Sequence, residues 1–215
     1  MCAVSNSPAA LPFAAAPGPA ARRDLLLAGA ALAMAGLAPA RAVPARWVLP
    51  YPEIWRRPRL LWITRPQAQE AVRAVYWADG ALQPEGYGAF NRLYRDLYAN
   101  VQHPIALGLL DLNFVMQAAL WRAVGPRPLV LFSGYRTHAS NVRVGGVEPN
   151  IHGLGMADDF HYEGLSLQEN LRLARQFQVG GLGLYPDRGS LHKDIGRFRS
   201  WVTAGRPALS RRVAR

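Results

Sequence analysis

The sequence predicts an α+β domain, with helices packed on a small antiparallel sheet, and three observations carry that prediction. Two segments in the first half repeat their apolar residues at helical spacing. Short apolar runs bounded by Gly, Pro and Asp dominate the second half and read as strands. Helices thus come mostly first and strands mostly last, which argues against a doubly wound sheet. Half of the 215 residues are apolar, enough for one core, and no internal repeat is visible.

The elements follow in order. Ala21-Arg22-Arg23-Asp24-Leu25-Leu26-Leu27 is a twin-arginine pair followed by a moderately apolar run to Ala38, and Ala40-Arg41-Ala42 offers a small-residue cleavage site. Residues 1–42 therefore read as a twin-arginine export signal, excluded from the fold. An uncleaved anchor is the rival reading, although the Ala/Gly-rich run is short of the roughly 20 strongly apolar residues of a membrane span. Residues 43–60, rich in Pro, Arg and Trp, form an extended lead-in, and the domain spans 61–203. Leu61-Trp62-Ile63 and Ala74-Val75-Tyr76-Trp77 are two strands near the turn Asp79-Gly80. Helices are expected from Tyr87 to Tyr98 and, after His103-Pro104, on to about Val124, where Gly125-Pro126 stops the second. Leu129–Phe132 is a buried strand, followed by a loop to Pro149. Ala157–Phe160 is the next strand. Ser166-Leu167-Gln168-Glu169 is a capping box that opens a helix closed by Gly180-Gly181. Leu182–Tyr185 and Leu191–Ile195 are strands flanking the turn Pro186–Gly189, and residues 204–215, with four arginines, form a basic tail.

Charge narrows the partners only slightly. The chain carries +11, and +9 without residues 1–42, nearly all as arginine; Lys193 is its one lysine. Arginine clamps carboxylates bidentately, so anionic partners fit. No run of five basic residues and no nucleic-acid motif occurs, so nucleic acid is set aside, and an arginine-biased composition accounts for the charge equally well. Cys2 is the sole cysteine and would leave with the signal, so a mature chain has neither disulfides nor thiolate ligands. Any metal must be held by His, Asp or Glu.

Asn150-Ile-His-Gly-Leu-Gly-Met-Ala-Asp-Asp159 supplies such a set. His152 and Asp159 are seven apart with Gly153 and Gly155 between them, and His192 follows in a short apolar run. Glycines permit a tight reversal that lets both side chains converge. Leu191 and Ile195 alternate around His192 as on a half-buried strand. Two imidazoles and one carboxylate leave the fourth position of a zinc open for water, the arrangement of a catalytic zinc. The same residues also fit a loop His-Gly and a surface Asp-Asp pair.

The segment from Leu131 to Trp201 resembles the zinc D,D-peptidase superfamily (peptidase family M15), and more narrowly the twin-arginine-exported murein endopeptidases of the YcbK type. The matching pieces are Ser133-Gly134-Tyr135-Arg136; Asn141; Gly145-Gly146; His152-x-x-Gly155-x-Ala157-x-Asp159-Phe160-His161; Glu163-Gly164; Gly180-Gly181-Leu182-Gly183-x-Tyr185-Pro186; His192-x-Asp194-x-Gly196; and Trp201. The resemblance implies a hedgehog/D-Ala-D-Ala peptidase-like fold, with one Zn2+ per chain on His152, Asp159 and His192. It implies that Arg136 lies at the active site and holds a substrate carboxylate or carbonyl. Asp194, on the same strand face as His192, would orient that ligand. Periplasmic hydrolysis of peptide cross-links in peptidoglycan is the expected function. The alternatives are a D,D-carboxypeptidase or dipeptidase trimming stem peptides, or a catalytically silent wall-binding module. The membrane is met only through the signal, and the oligomeric state is not encoded.

Three departures stand out. Asn150 replaces a frequent serine, His138 replaces a small residue or proline, and Asp158 is an extra carboxylate that alternation directs to the opposite, surface side. Where some members carry an acid three residues before the last histidine, this chain has Gly189, leaving Asp187, Asp194 and His161 as candidate general bases.

Overall fold

Strand formation starts earlier than the expected lead-in allows. The computed structural model describes residues 52–203; the expected signal, residues 43–51 of the lead-in and the basic tail lie outside them. A 3-10 turn at Pro52–Arg56 precedes β1 (Arg59–Arg65), which pairs antiparallel with β2 (Glu70–Ala78). Asp79 and Gly80 both adopt left-handed φ (53° and 74°), the geometry of a two-residue hairpin, and return the chain into β3 (Ala81–Leu82).

Helix α1 (Pro84–Leu93) has proline in its first turn. It starts and ends earlier than the helical spacing suggests. Asp96 is the reason for the early end: its side chain accepts the backbone N–H groups of Tyr98 and Ala99, which would otherwise be helical donors. Helix α2 (Leu107–Val124) matches the expected segment and stops at Gly125, where φ is +90°. After β4 (Leu129–Ser133), the expected loop contains a short helix, α3 (His138–Arg143), because Thr137 caps it by accepting the Ser140 N–H. Then come β5 (Ala157–Tyr162) and α4 (Leu167–Arg175), whose capping box between Ser166 and Glu169 is present as read. The chain continues through β6 (Gly181–Tyr185), β7 (Ser190–Asp194) and the unforeseen β8 (Arg199–Val202).

All eight strands form one sheet in the order β3-β2-β1-β4-β5-β7-β6-β8. The sheet is mixed rather than small and antiparallel, since β1–β4 and β6–β8 pair in parallel. Strands β1 to β3 also precede the helices, so the helices-first order does not hold. The α+β class stands, with four α-helices among the described residues. A long connection through α1 and α2 carries the chain from β1–β3 to β4, and only such a crossover permits parallel pairing.

Helices α2 and α4 cover one face of the sheet. Beneath them Leu131, Phe160, Leu191 and Leu184 form one cross-strand row, packed in a core with Leu109, Leu120 and Leu173. Each such side chain contributes about 1.5–3 kcal/mol by burial. One residue further along, the row Ser133, Asp159, His192, Gly183 and Trp201 projects to the opposite face. Among the described residues no helix is long and apolar enough to cross a membrane.

Candidate metal centre

The second row is where chemistry concentrates. Asp159 and His192 are direct cross-strand partners on β5 and β7, so the ladder fixes their separation. His152 arrives from a 3-10 turn at Ile151–Leu154, capped by Asn150, whose Oδ1 accepts the Gly153 N–H. The Asn150 amide also donates to the Arg136 carbonyl, tying this turn to the loop after β4. Gly155 closes the turn at φ +64°, and a side chain there would collide with the Pro104 carbonyl.

Three potential ligand atoms converge. His192 Nδ1 is 3.0 Å from Asp159 Oδ1, His152 Nε2 is 3.2 Å from His192 Nδ1, and His152 Nε2 is 3.5 Å from Asp159 Oδ1. All three residues are buried, and among the described residues this is the one His/Asp cluster with metal-holding spacing. A tetrahedral zinc with bonds of about 2.0–2.2 Å separates its ligand atoms by about 3.3–3.6 Å. The 3.5 Å side of the observed triangle matches, and the 3.0 and 3.2 Å sides would open slightly around an ion.

The tautomers fit as well. His152 Nδ1 lies 2.7 Å from the Gly134 carbonyl, which only accepts, so Nδ1 carries the proton and Nε2 presents its lone pair. Gly134 has no room for a side chain, because a Cβ would come within 2.6 Å of the Tyr94 carbonyl. His192 Nε2 lies 3.0 Å from Asp194 Oδ2, so Nε2–H donates and Nδ1 faces the cluster. Asp194 is held in turn by the N–H groups of Gly181 and Gly196 and by the Arg199 guanidinium at 2.7 Å. Oriented imidazole backed by carboxylate is how proteins fix a ligand histidine.

Electrostatics follow from this packing. Burial alone would raise the Asp159 carboxyl, but His152 and His192 outweigh it and hold its pKa far below the usual range. Asp194 behaves alike: burial opposes ionisation, yet His192, the two backbone N–H groups and Arg199 keep it ionised. Burial disfavours a charged His192, yet its hydrogen bonds to Asp159 and Asp194 prevail and raise its pKa. Arg136 reaches within 3.7 Å of Asp159 Oδ2, and its Nε is buried with no partner.

Two clefts, of about 430 and 490 Å³, open on this cluster and share Arg136, Val144, Asp159 and Arg188. Sequence reading assigned no role to Tyr185, Arg188, Arg199 or Trp201, which also line them. The legible signal was alternation: Gly183 and Tyr185 share a strand face, as do Arg199 and Trp201. Trp201 seats over Gly183, where a Cβ would meet the indole at 2.5 Å, and its ring lies 5.3 Å from that of His192.

The departures resolve unevenly. His138 is an exposed residue opening α3, 3.3 Å from Glu148. Asp158 does point opposite to Asp159, but that side is core, not surface: its carboxylate is fully buried, 2.5 Å from Lys193 Nζ and 3.0 Å from the Tyr94 hydroxyl and the Asn113 amide. Strand β7 is accordingly buried on both faces rather than half-buried. Of the candidate bases, Asp194 is committed to His192, while Asp187 and His161 line neither cleft, and His161 Nδ1 contacts the Gly189 carbonyl at 3.2 Å.

Comparison with known proteins settles the affiliation. A family model described as peptidoglycan L,D-endopeptidase MepK matches residues 54–201. The chain belongs to this family. Peptidoglycan L,D-endopeptidase MepK of Escherichia coli K12 is 31% identical over 185 residues, covering 84% of this chain and 96% of that protein. The Shigella flexneri protein of the same name matches equally, and the probable MepK of Haemophilus influenzae is 25% identical over 150 residues, 67% of this chain and 80% of its own. No solved structure gives a significant match. In the MepK family frame, the His152–Asp159–His192 cluster falls inside the matched span, and the YcbK-type resemblance read from the motifs holds.

Proposed function

We propose that this protein is an exported, zinc-dependent peptidoglycan endopeptidase that hydrolyses peptide cross-links of the cell wall, with a hedgehog/D-Ala-D-Ala peptidase-like fold. The observation that carries the reading is the triangle of ligand atoms at 3.0–3.5 Å, with both imidazole lone pairs turned inward by Gly134 and Asp194. Family membership and the names of the relatives support the substrate. The twin-arginine motif at 22–23 supports export to the periplasm, where the substrate lies.

His152, Asp159 and His192 hold the zinc, which when bound polarises the scissile carbonyl and lowers the pKa of its water toward about 7. The chain's own groups do the rest. Asp194 keeps the Nε2 proton of His192 in place, so Nδ1 stays free. Arg136, with its unpartnered Nε, holds a substrate carboxylate or carbonyl beside Asp159. The two clefts supply the carboxylates Asp96 and Asp159, and both are committed, Asp96 to Thr137 and Asp159 to the histidines. Among the described residues no free carboxylate therefore lines the clefts to take a proton.

An endopeptidase is favoured over a carboxypeptidase by the names of the relatives, and two clefts that share Asp159 offer room for more than a chain end. The test is incubation of chain from Val43 onward with purified cross-linked muropeptides, with zinc or chelator, and mass spectrometry of products. Zinc-dependent conversion of dimers to monomers, lost in His152→Ala, is the expected outcome. One bound zinc with no cleavage would instead favour a silent wall-binding module.

A further inference from the structure

Four arginines line the two clefts around Asp159, and the structure separates them into two kinds. Arg65 is turned into the protein, where its Nη1 donates to the carbonyls of Leu93 and Arg95. Arg199 is spent on Asp194, with contacts at 2.7 and 3.2 Å. Arg136 and Arg188 remain. Arg136 makes only the long 3.7 Å approach to Asp159. Arg188 is exposed, and among the described residues it has no carboxylate within ion-pair distance.

Arg188 is nonetheless held in place. It ends the 3-10 turn Pro186–Arg188, which is closed by Gly189 at φ +61°. Its guanidinium lies 5.4 Å from the centroid of the Tyr185 ring, a cation–π contact that limits the side chain's freedom. Tyr185 and Trp201, on neighbouring strands, line the same cleft. Arg188 also bears on Arg136: burial is the main reason that the Arg136 pKa is lowered, Asp159 opposes this, and the Arg188 charge adds to it.

Arg136 and Arg188, on separate loops after β4 and between β6 and β7, therefore line the same clefts as Asp159. Its carboxylate is already claimed by the two imidazoles. Like charges that line one cleft attract an anion and favour its placement there. Resting on the function proposed above, we propose that Arg188 is a specificity-determining residue that binds a second substrate carboxylate, distinct from the one held by Arg136. The preferred ligand is a peptide with a free carboxylate on each side of the bond to be cut. A planar fork held over an aromatic ring reads a carboxylate and discriminates against its neutral amide.

The experiment compares Arg188→Gln with the unaltered protein. The probes are a cross-linked muropeptide with free carboxylates and the same compound with one carboxylate converted to carboxamide, the two positions tested separately. Kinetics on the zinc-loaded protein is paired with calorimetric binding of the corresponding monomers to metal-free protein, which requires no turnover. The unaltered protein is expected to prefer the carboxylate at one position by about tenfold, the scale of one hydrogen-bonded charge pair. Arg188→Gln should abolish that preference through KM with kcat little changed, and Arg188→Lys should restore part of it. Preference at the other position should persist in Arg188→Gln and disappear in Arg136→Gln. Arg188→Gln that keeps both preferences, or loses binding equally for carboxylate and carboxamide, overturns the assignment. A protein that cuts no muropeptide but shows the Arg188-dependent preference in binding would sink the endopeptidase reading and leave this one standing.

Discussion

Asp158 and Asp159 are adjacent in sequence, both buried, and meet opposite fates. On the core face, Asp158 is paired with Lys193 and braced by Tyr94 and Asn113, and Lys193 Nζ lies 3.3 Å from the Phe160 ring centroid. That unit is electrically closed. On the site face, Asp159 and His192 are cross-strand partners just as Asp158 and Lys193 are, but with His152 they turn one carboxylate oxygen and two nitrogen lone pairs toward each other. Here one carboxylate is shared by two imidazoles, and among the described residues no ammonium or guanidinium lies as close to it as Lys193 does to Asp158. The difference teaches that burial and acidity alone do not mark a functional carboxylate; what marks it is whether the protein supplies the balancing charge.

The contrast can be broken from either side. Asp159→Ala should reduce zinc-dependent cleavage by about a thousandfold or more, because several kcal/mol of transition-state stabilisation go with the metal. In chelator the same change should lower the melting temperature less than Asp158→Ala does, since only the contacts of Asp159 with the two imidazoles are lost. Asp158→Ala should do the reverse, removing about 3–5 kcal/mol of stability in urea denaturation by stranding a buried ammonium. Replacing Asp158 and Lys193 together by leucine should recover most of that loss; if the double variant is as unstable as the single, the core pair is not a closed unit.

A subtler perturbation touches the ligand without removing it. Asp194→Asn should weaken zinc binding about 10–100-fold in a chelator competition, since His192 loses the carboxylate that fixes its tautomer. Circular dichroism should stay unchanged.

Acidity provides a finer separation. In metal-free protein the raised His192 contributes stability that is fully present below its ordinary 6.5 and lost as pH rises through its folded value. Asp159 and Asp194, both lowered, contribute stability present above about 3.8 and lost as pH falls through their folded values. Zinc needs the neutral ring, so the gap in melting temperature between zinc and chelator should widen from pH 6 to pH 8. A gap that is flat across this window would show that His192 does not change protonation on binding. The smallest effect expected is at the α4 cap, far from both units: Ser166→Ala should cost about 1 kcal/mol.

The sequence was most readable where physics is local. The α4 capping box, the Gly125 stop and the Asp79-Gly80 turn depend on neighbours in the chain, and each stands where it was read, although the short strand β3 after that turn was not. That His152, Asp159 and His192 come together was readable because Gly153 and Gly155 mark a reversal and the motif order matches a family. What was lost depends on distant partners. β8 pairs with β6 where Gly183 leaves space for Trp201, and the parallel β1–β4 pairing requires a crossover that no local pattern encodes. Strand alternation gave the direction of Asp158 correctly, but only α2 and Tyr94 packing behind it make that direction inward.

The burial of Lys193 has a use in the laboratory. It is the chain's single lysine and is 2% exposed, so an amine-reactive reagent finds no side-chain amine on the folded domain. All remaining basic side chains except the histidines are guanidiniums, which do not acylate under such conditions. Acylation at position 193 therefore counts molecules that have opened, and its rate, followed by mass at one residue, times the separation of β5 from the helices behind it.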